Sequence, residues 1–76
     1  MAEIMEFNAS KDFGKLGVEF KSPDFKLKKD VLVAAIIRND KLIIAGGNTS
    51  ITEGDRVIVA TSKNNRIKKL NDIFAK

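Results

Sequence analysis

Seven consecutive apolar residues, Val31 to Ile37, stand between Asp30 and Arg38. The run is too short for an ordinary helix and is rich in Val and Ile, so it reads as a strand buried on both faces. A hairpin follows from it. Asn39-Asp40 tolerates the positive φ of a two-residue turn, and Lys41 to Ala45 returns as the partner strand. Gly46 to Ser50 is a loop by composition, and Ile51 anchors the connection in the core. Glu53-Gly54-Asp55 makes a second turn. The segment Arg56 to Thr61 then alternates, with Val57 and Val59 on one face and Arg56, Ile58 and Ala60 on the other.

Outside this block the pattern is looser. Glu3 to Ala9 is expected to be a first strand, with Ile4, Met5 and Phe7 as its apolar side chains. A polar break spans Asn8 to Asp12. Gly14 and Gly17, set among Phe13, Leu16, Val18 and Phe20, argue against a long helix there. Ser22-Pro23-Asp24 reads as a short helical start. Ser22 can cap, Pro23 fits the first helical position and Asp24 favours the positive end, which aims Phe25 and Leu27 at the core. Near the end, Ile67, Leu70, Ile73 and Phe74 follow helical spacing, with Ser62, Asn64 or Asn65 as the cap. The predicted class is α+β: a small, mostly antiparallel β-sheet with a short helix after strand 1 and a C-terminal helix.

Composition narrows the function. A chain of 76 residues makes one small domain, which buries only about 60% of the surface its unfolded form exposes. There is no cysteine and no histidine, so disulfides and the usual zinc frameworks are excluded, and the ten acids do not cluster as a calcium loop requires. Nucleophilic triads lack their usual base. The carboxylates that could pair for acid–base work, Asp24, Asp30, Glu53 and Asp55, already have turn or cap roles, so the chain is expected not to be an enzyme. Gly46-Gly47 lacks the spacing of a phosphate loop, and Gly-x-Gly-x-x-Gly is absent. No apolar stretch approaches the roughly 20 residues that span a bilayer, and Met1 to Glu6 carry two acids and no basic residue, unlike a signal peptide. A soluble cytoplasmic domain is expected.

The net charge of +4 raises the question of anionic partners. Lys26, Lys28, Lys29, Lys63, Lys68 and Lys69 lie in pairs or near-pairs, but the three arginines are widely spaced and there is no Tyr or Trp. Nucleic-acid readers add aromatic platforms or an arginine cluster, so a solvated basic surface is the expected reading. In so small a chain the last helix covers one face of a strand apolar on both sides, and the other is left to the segment Phe13 to Leu27 or to a second copy, which points to a homodimer.

Leu27-Lys28-Lys29-Asp30 leading into Val31 to Arg38, then Lys41-Leu42-Ile43-Ile44, then Gly54-Asp55-Arg56-Val57-Ile58-Val59, is similar to the TrkA-C (RCK-C) pattern. The ending Ile67 to Phe74 resembles that family's closing helix, and Asp12 to Gly17 resembles the segment entering its first short helix. Two positions depart from it. Ala45-Gly46-Gly47 keeps the second glycine of a proline-x-glycine but loses the proline, and Asn39-Asp40 replaces the turn glycine. The resemblance implies a single TrkA-C-like regulatory domain over residues 1–76, with the nucleotide-binding Rossmann half absent and no NAD or ATP site. It implies a homodimer, and a membrane potassium or cation transporter as partner through the full-length protein. Some family members bind cyclic di-AMP between two copies, using apolar residues with an arginine, an asparagine and a histidine. Here there is no histidine, and Asp30 stands where the asparagine is expected. The implied ligand segment is Leu27, Lys28, Lys29, Asp30 and Val31. The alternative is a scaffold that dimerises without a ligand.

Overall fold

The computed structural model describes residues 2–62 and 65–76. Four strands, β1 (Ala2–Asn8), β2 (Val31–Arg38), β3 (Lys41–Ile44) and β4 (Arg56–Ser62), form one sheet in the order β1-β4-β2-β3. Every neighbouring pair is antiparallel. Asn39 and Asp40 carry φ of 52° and 64°, so the β2–β3 hairpin closes through the two-residue turn the sequence proposes. Gly54, at φ 92°, occupies the second turn, and its N–H donates to the Ala9 carbonyl at the end of β1.

One face of the sheet is core. Val31 pairs with Thr61, Val33 with Val59 and Ile36 with Val57, and all six are buried. The chain before β2, the β3–β4 connection and the chain after β4 cover them with Phe13, Phe25, Ile51, Ile67, Leu70 and Ile73. Three aromatic contacts knit that covering layer. Phe25 meets Phe74 edge-on at 4.9 Å, Phe20 and Phe25 stack at 4.5 Å, and Phe13 and Phe74 stack at 5.6 Å.

Within a single chain, Val31–Ile37 is buried on one face only. Leu32 is 60% exposed. A register shift between Val33 and Ala35 leaves Ala34 as an extra residue, so the inward phase passes from Val31 and Val33 to Ile36. An unbroken apolar run results because the outer face is apolar too, while none of the described residues covers Leu32 on it.

Both expected helices are corrected as well. Ser22 does act as a cap: its Oγ accepts from Asp24 N–H at 3.1 Å, and its carbonyl accepts from Phe25 N–H at 2.9 Å. Only that single turn forms. Continuing the helix requires Lys28 N–H to bond back to Asp24, but it donates to the Ile73 carbonyl instead. Ala75 N–H donates to the Lys26 carbonyl, and Leu27 bridges Phe74 in antiparallel fashion. That same pairing ends the C-terminal element, which is a four-residue 3₁₀ turn, Leu70–Ile73, followed by extended Phe74. The three-residue spacing of Ile67, Leu70 and Ile73 suits a 3₁₀ turn, where positions three apart eclipse. Asp72 holds the turn by accepting from the N–H groups of Lys68 and Lys69, both at 3.0 Å. Of the expected caps, Asn64 lies outside the described residues, and Asn65 instead donates to the Lys29 carbonyl and Thr61 Oγ1.

Candidate functional site

Cross-strand partners share a face, so the register defines the uncovered side of the sheet. Ile4, Ala60 and Leu32 form one row across β1, β4 and β2, and Ile58, Ala35 and Ile44 form another across β4, β2 and β3. Leu42 pairs with Ile37 beyond them. Ile4, Leu42 and Ile44 are 68%, 65% and 72% exposed. With Leu32, four large apolar side chains lie open on this one face, more than scattered surface hydrophobics account for. At its border Arg56 grips Glu6 through two hydrogen bonds of 2.7 and 3.1 Å. The Arg56 hydrogen bond holds the Glu6 carboxyl below the usual carboxylate range.

Leu32 stands between two cavities. One, of about 430 Å³, is lined by Asp30, Val31, Ala60 and Thr61 with the ends of β1 and β4. The other, of about 200 Å³, is lined by Phe20, Phe25, Leu27, Val33, Ala45 and Gly46. Leu32 lines both. The sequence-derived segment is therefore divided: Asp30 and Val31 face the first cavity, Leu27 the second, while Lys28 and Lys29 line neither. Asp30 adopts φ 63°, and its carbonyl accepts from Ser62 N–H, which turns the chain into β2. Leu32, Ala45 and Gly46 were missed. Leu32 was hidden by the reading of its strand as buried on both sides. Ala45 and Gly46 fall where the family's proline-x-glycine was noted, a signal that pointed toward them.

The Gly46-Gly47 loop offers little to an anion. Gly46 N–H donates to Thr49 Oγ1, and Gly47 lies so close to Lys21 that an added Cβ meets the Lys21 Cβ at 3.3 Å.

Arg38 and Asp55 serve a different purpose. Asp55 is 1% exposed, and its two carboxylate oxygens accept from Arg38 Nε and Nη2, each at 2.8 Å. Thr52 adds its N–H at 2.8 Å and its hydroxyl at 3.2 Å, and Arg38 Nη2 also donates to the Ser50 carbonyl. The end of β2 is thereby tied to the loop and turn that precede β4. Burial pushes the Asp55 carboxyl up, but the Arg38 and Thr52 hydrogen bonds outweigh it and leave it below the ordinary value. With the folded-state pKa depressed, the stabilisation is present above the unfolded-state value and is lost as pH falls through the folded-state value. Arg38→Met leaves a buried carboxylate without its cation and is expected to cost about 3 kcal/mol at neutral pH. Urea melts at pH 7 and at about pH 3 check this, since the difference between the two proteins should shrink in acid. An equal difference at both pH values would contradict the ion-pair account.

The comparisons agree with this geometry. The family model of the TrkA-C domain matches residues 16–75. The chain belongs to the TrkA-C family, which points to a regulatory domain of ion transport. A solved structure described as an RCK domain with cda is 26% identical, with a TM-score of 0.63. The match covers 79% of this chain and 81% of that one. No curated protein matches the chain. Among the described residues, no helix is long and apolar enough to cross a membrane.

Proposed function

We propose that this domain is a non-catalytic, ligand-sensing and dimerising regulator of a potassium or other cation uptake or channel-gating protein. It acts in the cytoplasm beside its membrane partner. The observation that carries the reading is the uncovered apolar face, with Leu32 near one end of β2 lining two cavities. Two copies meeting through this face bury Ile4, Leu32, Leu42 and Ile44 and turn the two open cavities into parts of one cleft. A nucleotide such as cyclic di-AMP suits that cleft. Its bases can lie on apolar walls at Leu27, Leu32 and Val31. The solved RCK domain with cda supports a ligand of some kind in this fold. A ligand that prefers one of two dimer arrangements shifts the population between them, and gating follows from that difference in affinity.

A thermal-shift titration with cyclic di-AMP tests the sensing claim. The midpoint is expected to rise and to keep rising with ligand as mass action requires, by an amount set by the ratio of ligand to Kd. Leu27→Ala or Ala45→Asp should abolish the shift. An unchanged midpoint with cyclic di-AMP and with other nucleotides would leave the ligand-free scaffold as the function.

A further inference from the structure

The backbone pairing of residues 26–28 with 73–75 does more than close the core. It brings together two segments that hold the chain's excess charge. Residues 26–30 contain Lys26, Lys28 and Lys29 against Asp30. Residues 65–76 contain Arg66, Lys68, Lys69 and Lys76 against Asp72. Seven of the fourteen basic residues thus lie here with only two of the ten acids, while the rest of the chain carries seven basic residues and eight acids. The whole positive balance of the molecule resides in this one layer.

Its side chains are available. Lys26, Lys29, Arg66, Lys68, Lys69 and Lys76 are exposed, and Lys28 is half-buried. Leu27 and Phe74 bridge with their side chains packed against the core. Asp72 is occupied by the N–H groups of Lys68 and Lys69, and it lies within electrostatic reach of Lys28 and Lys69, which links the two segments. This layer covers the inner face of the sheet, whereas Ile4, Leu32, Leu42 and Ile44 stand on the outer face. Pairing of two copies through the apolar face leaves both basic layers free.

We infer that this basic layer docks on an anionic phospholipid surface. Six of its seven cations are lysines, mobile point charges suited to diffuse headgroup attraction rather than to bidentate readout. Nucleic acid calls for aromatic stacking platforms, and the five phenylalanines all pack in or against the core. An acidic protein segment calls for an adjoining apolar centre, and among the described residues the large exposed apolar side chains are on the opposite side. The inference rests on charge placement and is independent of whether a nucleotide occupies the cleft.

Vesicle co-sedimentation of the 76-residue chain tests it. Vesicles of phosphatidylcholine with about 30% phosphatidylserine are expected to bind the protein, and pure phosphatidylcholine vesicles are not. Binding should fall at least about tenfold between roughly 0.05 and 0.5 M salt. Changing Lys26, Lys28, Lys68 and Lys69 together to Gln should reduce binding about tenfold or more, whereas the control changes Lys21→Gln and Lys41→Gln should leave it within about twofold. Thermal melts of both variants establish that they are folded; should the fourfold variant fail to fold, Lys26→Gln with Lys68→Gln replaces it, with a proportionate loss expected. Absence of binding to anionic vesicles, equal losses in the basic-layer and control variants, or tighter binding to mixed-sequence DNA or RNA than to the vesicles overturns the inference.

Discussion

Ile36→Asp is expected to abolish folding. Ile36 is fully buried, and its cross-strand partners Val57 and Ile43 belong to the core side of the sheet. The change removes a large apolar side chain, a loss of about 2–5 kcal/mol for such truncations. It also places a carboxylate where nothing can neutralise it, at a cost of several kcal/mol more. A chain of this length has a total stability on the order of 4–11 kcal/mol, so the two effects together exhaust it. Circular dichroism and a thermal melt read the outcome. A cooperative transition near that of the parent chain would show that β2 does not carry the core.

The contrast with Leu32, four residues earlier on the same strand, shows how far the sequence alone could be read. The strands were legible because each rests on local signals: Val and Ile density in β2, the Asn39-Asp40 turn, and the Val57/Val59 alternation in β4. Which face of β2 is covered was not legible. The phase change at Ala34 depends on how β2 and β4 pair, and an uncovered apolar residue has the same letter as a covered one. The helices were misread for a related reason. Ile67, Leu70 and Ile73 satisfy both an α-helical face and a 3₁₀ turn. The decision is made by hydrogen bonds from Lys28 N–H to Ile73 and from Ala75 N–H to Lys26, between segments distant in sequence.

The polar residues show the same division. Asp55 was read as a turn residue and is one, but its bidentate partner Arg38 lies 17 positions away. The spacing of Arg38 and Gly54-Asp55, noticed as part of the family pattern, is therefore the mark of a lock that holds the β4 entry rather than of a binding site. Of the segment that the resemblance implied, Leu27, Asp30 and Val31 line the two cavities. Lys28 and Lys29 came with them only by adjacency, and their charge belongs with the C-terminal segment.

Leu32→Glu carries the second large effect, and it acts on assembly rather than on folding. Leu32 is 60% exposed, so a charge there is solvated in the single chain and should cost that chain no more than about 0.5 kcal/mol. In a pair of copies closed over the apolar face, the same charge is desolvated without a partner to neutralise it. The melting temperature of the parent chain should rise with protein concentration, as expected when association stabilises the fold, and that dependence should vanish in the variant.

The direct test is molar mass by light scattering for the parent chain and for Leu32→Glu at matched concentrations. Dimerisation through the uncovered sheet face requires twice the 8.4 kDa chain mass for the parent and 8.4 kDa for a folded variant. A parent that remains at 8.4 kDa across the accessible concentration range, or a Leu32→Glu protein that stays dimeric, would contradict it.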